Sequence, residues 1–176
     1  MTQQTETLEE RNARVRGYLV SQAAKLSPAA IVARVREAQT GVLAAAEAIP
    51  PGRLAQAPAA GAWSAQDVLA HLLAWGESCT VSIISTLQHG VATPVAADVL
   101  EPAAIGLTQA AARTRLSSTR TALFASVLAA DPTAHLDVIA LRHFWFGALN
   151  WREALLFLRL HDLDHLGQLQ AIAAAL

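Results

Sequence analysis

The feature that most constrains the fold is an apolar stripe near the end of the chain that contains two histidines. His161 and His165 stand four residues apart in a segment whose other residues suit a long helix. Residues at this spacing lie on one helix face, one turn apart. The two imidazoles therefore share a stripe with Leu158, Leu169 and Ile172, a spacing typical of the seam between packed helices. Interior imidazoles need partners, and a shared cation is one such partner.

Helix start and stop signals divide the rest of the chain into long segments. Ser27 followed by Pro28 is a typical helix start, with serine as N-cap and proline at the first helical position. Ser64 and Asp67 resemble a capping box, and Asn150 suits the N-cap of the last segment. These signals predict four helices, at about residues 28–49, 64–89, 108–130 and 150–176. In the third of these we expect the following residues to face the core: Leu116, Leu123, Phe124 and Leu128.

The segments between and before these helices complete the predicted architecture. Residues 5–26 form an amphipathic pattern that predicts a helix on the outside of the main body, and residues 91–106 suit a crossing loop. No segment alternates apolar and polar residues with β-branched enrichment, so we expect no sheet. The sequence therefore predicts an all-α protein, an up-and-down four-helix bundle over residues 27–176 with an N-terminal helical extension over residues 1–26.

Charge and composition argue against several classes of protein. The net charge of −1, without a basic block, disfavours nucleic-acid binding. The sequence contains no run of about 18 uncharged apolar residues, so we expect no membrane span. The polar residues 2–16 do not resemble a signal peptide. The single cysteine, Cys79, cannot form an intramolecular disulfide and suits a reducing compartment. We therefore expect a soluble cytoplasmic protein.

The balance of apolar and charged residues also suggests a partner subunit. Apolar residues make up 53% of the 176 residues and charged residues only 15%, which is low for a soluble monomer. Either the core is unusually large or another subunit covers apolar surface. We expect a homodimer.

A third histidine would complete a metal site. His71, on the second predicted bundle helix, falls at the edge of the stripe that contains Val68 and Leu72, and a bundle can bring that face against the last helix. Three neutral imidazoles would leave a coordination position open for water or substrate. They would suit Zn²⁺, Ni²⁺, Fe²⁺ or Cu²⁺.

Simpler interpretations exist for each of these residues. A single helical histidine such as His71 is more often a hydrogen-bonded core residue than a ligand. Asp162 and Asp164 could orient the imidazoles, although solvation or pairing with arginines explains them better. Asp67 is explained by its capping role.

Other residues with reactive side chains are less promising as site residues. His89 and His135 lie outside the helix seam, and His143 belongs to an aromatic segment that suits core packing or a pocket mouth. We expect Cys79 to be a small buried apolar residue, because no base is evidently placed beside it. Glu77 is the one candidate for a further acid or base.

Two motifs resemble a known family. The run from Trp63 to His71 (WSAQDVLAH) resembles the start of the second helix in the DinB/YfiT-like superfamily of four-helix bundles, and the run from His161 to Leu169 (HDLDHLGQL) resembles its last helix. The resemblance spans about residues 28–176. It implies that His71, His161 and His165 bind a divalent metal, as the matching histidines of that family do. The family includes enzymes that use low-molecular-weight thiols, such as mycothiol-dependent maleylpyruvate isomerase and bacillithiol S-transferases, and many members without a known reaction.

Two functions follow from this resemblance. In the first, the protein is a metal-dependent S-transferase that joins a low-molecular-weight thiol to a small electrophile. In the second, it is a non-enzymatic bundle whose metal is structural and whose apolar surface serves dimerisation or partner binding. An open coordination position would favour the first function, and a fourth protein ligand the second.

Overall fold

A computed structural model describes residues 6–95 and 108–176 of the chain. This part contains five α-helices, a short 3-10 helix at Pro51–Arg53 and two short strands. In chain order the main elements are α1 (Leu8–Lys25), α2 (Pro28–Glu47), α3 (Ala65–His89), α4 (Gln109–Ala129), β1 (Leu141–His143), β2 (Gly147–Leu149) and α5 (Trp151–Ala175). The predicted all-α bundle is confirmed.

The predicted caps explain where three of the helices begin. The Ser27 hydroxyl accepts a hydrogen bond from the backbone of α2, and Pro28 occupies the first turn. Ser64 forms a full capping box with Asp67 at the start of α3, and Asn150 forms one at the start of α5. Each cap satisfies backbone N–H groups that the helix itself cannot pair. At the other end of α3, Gly90 adopts a left-handed conformation with φ of 66° and ends the helix.

Two apolar clusters fill the bundle and show the direction of each helix. One cluster contains the first halves of α2 and α5 together with the second halves of α3 and α4. The other contains the second halves of α2 and α5 with the first halves of α3 and α4. The up-and-down description therefore needs one refinement: α2 and α5 run one way, and α3 and α4 run the other. Within the bundle, α5 packs mainly against α2 and α3, which leaves α4 at the opposite corner.

A polar layer separates the two apolar clusters. Gln39 of α2 and Arg120 of α4 lie at this level, as do Gly76 of α3 and Asp162 of α5. The Gln39 side chain is buried and donates a hydrogen bond to the Leu116 carbonyl at 3.1 Å. Buried polar groups require such partners, because unpaired ones cost free energy. The interior of the bundle thus has an apolar cluster at each end and a polar layer between them.

Helix α1 packs on the outside of the bundle, as predicted. It contacts mainly α5 and buries Leu19 and Ala23 in the first apolar cluster. Arg16 of α1 pairs with Glu153 of α5 at 3.3 Å. Residues 1–5 of the predicted N-terminal extension lie outside the described residues, as do residues 96–107, which include most of the predicted crossing loop.

The expectation that the chain has no sheet is wrong, because β1 and β2 form an antiparallel hairpin. Leu141 pairs with Leu149 and His143 pairs with Gly147 across a three-residue loop. Gly147 has a φ of 71°, as is common after a loop of this length. Each strand is only three residues long, too short to display the alternation that identifies strands in a sequence.

The expected orientation of Leu128 is also wrong. The other predicted core residues of α4 (Leu116, Leu123 and Phe124) are buried, but Leu128 is 52% exposed. Val127, one residue earlier, is fully buried in its place. Adjacent helical positions differ by about 100° around the axis, so an error of one residue turns an inward position outward.

One helix in the described part of the chain, α3, is long and apolar enough to cross a membrane by length and composition. Its most apolar window is 67% buried inside the bundle. Packing in the core accounts for this apolar character.

Candidate metal centre

The structure brings the three predicted ligands together at one edge of the polar layer. His71 comes from α3, and His161 and His165 come from successive turns of α5. The Nε2 atoms of His71 and His161 lie 3.0 Å apart, and one potential ligand nitrogen from each of the three rings lies within 4.8 Å of the others. The three ring centroids are 4.6 to 5.1 Å apart. We call these three residues the histidine triad.

The triad is largely shielded from solvent, and this favours neutral imidazoles. His71 and His165 are only 7% and 8% exposed, and His161 is half-buried. Burial holds the pKa of His161 well below its usual value, and the neighbouring His165 and His71 lower it further. Burial also lowers the pKa of His165, against the opposing effects of Gln168 and Asp164. Neutral imidazole is the form that binds a metal.

Gln168 fixes the orientation of one ligand. Its Oε1 atom lies 2.9 Å from Nδ1 of His165. Because the amide oxygen accepts, the Nδ1 atom carries the hydrogen, and the lone pair of Nε2 is left for another partner. Orientation of a ligating histidine through its second nitrogen is usual in metal sites. Gln168 was not predicted as a site residue, although its position three residues after His165 would have placed it on the same helix face.

Two tryptophans form the walls of the site. The Trp75 ring stacks on His161 with centroids 4.3 Å apart and an interplanar angle of 28°. The Trp63 ring lies parallel to His165 at 6.2 Å and tilted against His71 at 5.3 Å. Trp63 directly precedes the Ser64 cap, so the capped start of α3 also places this wall. The aromatic surroundings reduce the local dielectric and strengthen electrostatic interactions within the site.

Asp162, one residue after His161, pairs with an arginine, which was one of its predicted roles. Its two carboxylate oxygens accept from Nη2 of Arg120 at 2.8 and 3.1 Å. Both side chains are 2–3% exposed. Burial raises the pKa of Asp162 to about 6, although Arg120 opposes the shift. Asp164, two residues after Asp162, is exposed.

The other residues considered from the sequence lie outside the triad. Cys79 is fully buried, as predicted, and burial raises the pKa of its thiol to about 12. His89 and His135 are exposed. Glu77 pairs with Arg115 at 2.7 Å near the surface and is not part of the triad.

His143 lies closer to the triad than the other residues set aside. Its ring packs against Phe157 with centroids 4.5 Å apart, and Phe157 in turn lies 6.4 Å from the ring of His161. Burial lowers the pKa of His143. The aromatic segment therefore contributes partly to packing, but its Phe144 side chain is 95% exposed.

The triad fits a divalent transition metal. Nitrogens bound tetrahedrally at about 2.0–2.1 Å stand about 3.3 Å apart, close to the separation seen between His71 and His161. Imidazole suits zinc, nickel, iron and copper ions. Among residues 6–95 and 108–176, no further histidine, cysteine or carboxylate joins the triad.

Comparisons with known proteins agree with this geometry. The family model described as the DinB superfamily matches residues 34–169, which include all three histidines. The chain belongs to the DinB superfamily. The two sequence motifs, one at the start of α3 and one on α5, suggested the same family, and the match spans both of them. Searches of curated proteins and of solved structures found no match.

Proposed function

We propose that this protein is a metal-dependent S-transferase that joins a low-molecular-weight thiol to a small electrophile. One observation supports this function above others: the three imidazoles each bring a potential ligand nitrogen within 4.8 Å of the other two. Such a set is typical of catalytic metal sites, in which a position stays open for water or substrate. Zinc, nickel and iron are the candidate ions.

The proposed chemistry needs little from the protein beyond the metal and the pocket. A divalent ion held by His71, His161 and His165 would supply a Lewis acid that lowers the pKa of a thiol. The thiol gives up its proton to solvent, and a sulfur lone pair forms the new bond to the carbon of the electrophile. The electron pair of the bond that breaks departs with the leaving group, which takes up a proton from solvent.

The residues around the triad suit this role. Gln168 holds His165 in the tautomer that a ligand needs. Trp75 and Trp63 exclude water from two sides of the imidazoles, which protects a thiolate from solvation and strengthens its interaction with a cation. Glu77 forms an ion pair with Arg115, so we assign it no role as an acid or a base.

A second candidate function is a non-enzymatic bundle with a structural metal. The low exposure of His71 and His165 favours it, because a closed site gives a substrate little access. Two surface grooves also lie away from the triad. One, of about 520 Å³, is next to α1, and the other, of about 440 Å³, is between α2 and α4. The metal would then hold α3 against α5.

Cobalt substitution separates the two functions. Sulfur bound to Co²⁺ gives an intense charge-transfer band in the near ultraviolet. We would titrate the Co²⁺-loaded protein with glutathione, a cysteine-glycoside thiol and other small thiols while recording that band. A thiol-transfer site should show saturable growth of the band with at least one biological thiol, because a soft thiolate displaces water from the ion more readily than hard anions do.

Two controls make the titration decisive. His71→Ala should abolish the band, whereas His89→Ala, on the same helix but exposed, should leave it unchanged. Absence of any thiol-dependent band in protein that demonstrably holds cobalt at the triad would favour the structural metal.

A further inference from the structure

A buried ion pair crosses the interior of the bundle beside the histidine triad. Arg120 and Asp162 are each 2% exposed, and Nη2 of the arginine contacts both carboxylate oxygens. The pair connects α4 with α5, two helices at opposite corners of the bundle that each pack mainly against α2 and α3. The two side chains therefore span the core rather than a helix–helix seam.

Arg120 is surrounded by apolar side chains and by the backbone of α3. On the α3 side, the guanidinium lies over Gly76, where an added Cβ atom would be 3.5 Å from Nη2. The apolar clusters lie above and below, with Leu116 and Leu123 one turn away on either side along α4. The Nε and Nη1 atoms of Arg120 are buried and have no hydrogen-bond partner in the described part of the chain. Among residues 6–95 and 108–176, Nη2 is therefore the one Arg120 nitrogen with a hydrogen-bond partner.

Stability does not explain such a pair. Removing two charges from water is unfavourable, and well-packed apolar residues of similar volume often give an equally stable or more stable protein. Unpaired guanidinium nitrogens add to this penalty. A buried pair of this kind therefore suggests a role in specifying geometry, and the nearest geometry that matters is the histidine triad.

The helix geometry shows how the pair would act. Asp162 follows His161 by one residue and precedes His165 by three. At about 100° per residue, both histidines lie about 60–100° to the same side of Asp162 around the axis of α5. Fixing Asp162 toward α4 therefore turns both imidazoles toward α3, where His71 lies. We propose that Arg120 and Asp162 are positioning residues for the metal centre, an inference that rests on the proposed metal-binding function.

The test separates metal binding from folding. The double variant Arg120→Met/Asp162→Leu replaces the pair with apolar side chains of similar size. We expect its metal-free melting temperature to equal or exceed that of the wild type. Its affinity for Co²⁺, measured by competition with a chelator, should fall by about tenfold or more, as happens when groups that orient metal ligands are lost. The visible Co²⁺ spectrum, which reports coordination geometry, should also change.

A matched control uses the exposed pair between α3 and α4. The variant Glu77→Gln/Arg115→Gln removes an ion pair next to the polar layer but outside the core, and should leave affinity and spectrum unchanged. Wild-type affinity and spectrum in Arg120→Met/Asp162→Leu would overturn the positioning role. Failure of the wild-type protein itself to bind Co²⁺ would instead contradict the metal centre, so the two failures are distinguishable.

A conservative variant covers the case in which the double variant does not fold. Arg120→Lys keeps the positive charge beside Asp162 but loses the planar guanidinium that contacts both oxygens. If the pair acts through geometry, Co²⁺ affinity in Arg120→Lys should fall several-fold and the spectrum should shift. Wild-type values in a folded Arg120→Lys protein would overturn the inference.

Discussion

Oε1 of Gln168 lies 2.9 Å from Nδ1 of His165, less than one helical turn away on the same helix. The contact assigns the hydrogen of this imidazole to Nδ1 and leaves the lone pair of Nε2 for another partner. The tautomer of one ligand is therefore fixed before any metal binds. A local i to i+3 contact thus links the helical repeat of α5 to the chemistry of the site.

Loss of this contact should weaken metal binding more than it weakens the fold. In Gln168→Ala, His165 keeps its place on α5 but loses the acceptor that selects its tautomer. We expect metal affinity to fall about 10–100-fold, the range typical of such outer contacts. Isothermal titration with Zn²⁺ would measure it. Gln170→Ala, which changes an exposed glutamine on the same helix, should behave like the wild type.

The cap of α3 should stabilise the bundle at the end that holds His71. The Ser64 hydroxyl accepts from the backbone N–H of Asp67 at 3.2 Å, and the Asp67 carboxylate accepts from the backbone of Ser64 at 2.9 Å. Ser64→Ala should reduce the free energy of unfolding by about 1 kcal/mol. Urea denaturation would show this, and Ser64→Thr, which keeps an oxygen at the cap, should recover most of the loss. Equal stability of the alanine and threonine variants would contradict the role of the cap.

Metal-free protein should become less stable as the solution is acidified from about pH 7.5 to pH 6. The pKa values of His161 and His165 are lowered in the folded state, so the unfolded chain binds more protons near and below the usual value of about 6.5. Their contribution to stability is therefore present above that value and is lost as the pH falls. Asp162 has the opposite effect on stability at lower pH. Its pKa is raised to about 6 in the folded state, against the effect of the neighbouring Arg120, so the folded chain binds this proton more readily than the unfolded chain.

Thermal melts across this window would check the sign. Chelated protein should melt at progressively lower temperature from pH 7.5 to 6. Metal-loaded protein should show a steeper decline, because protons compete with the ion for the same nitrogens. A melting temperature of the chelated protein that rises on acidification would refute the lowered pKa values of His161 and His165.

The hairpin offers a surface for the predicted homodimer. Phe144 is 95% exposed at its tip and Trp145 is 54% exposed. Beside them a groove of about 520 Å³ separates Trp145 from α1. The groove carries Glu9, and the hairpin carries the exposed Arg142; among the described residues neither takes part in an ion pair. This exposed aromatic tip is the apolar surface that we expect a second copy of the chain to cover.

Light scattering would test this expectation at micromolar concentration. The wild-type protein should have the mass of a dimer, and Phe144→Ser/Trp145→Ser should have the mass of a monomer. Val81→Ser changes an exposed apolar residue on α3 and should leave the dimer intact. A monomeric wild type would refute the homodimer, whereas a dimeric double variant would refute this surface.

Local signals explain why most of the fold could be predicted from the sequence. Ser27, Ser64 and Asn150 cap helices through backbone groups two or three residues away, so the signal and its effect lie in the same short segment. The stripe that contains His161 and His165 could be predicted for the same reason, because the two residues are only four positions apart. Their convergence with His71 was predicted from the helix seam and from the family resemblance.

Interactions between distant parts of the chain could not be predicted in this way. Arg120 and Asp162 are 42 residues apart, and nothing in either segment marks them as partners. Packing against neighbouring helices decides that Val127, and not Leu128, faces the core. The periodicity of the sequence alone places the inward face of a helix only to within about one residue. The hairpin depends on three pairs of residues and one glycine at positive φ, which is too little sequence for a strand pattern.

The central claim is that His71, His161 and His165 together hold one divalent transition ion, and elemental analysis of the purified protein tests it most directly. We expect about one zinc, nickel or iron ion per chain, sharply reduced in His71→Ala, His161→Ala and His165→Ala. The exposed histidines provide the controls, so His89→Ala and His135→Ala should retain the wild-type content. Full metal content in the double variant His161→Ala/His165→Ala would contradict the metal centre.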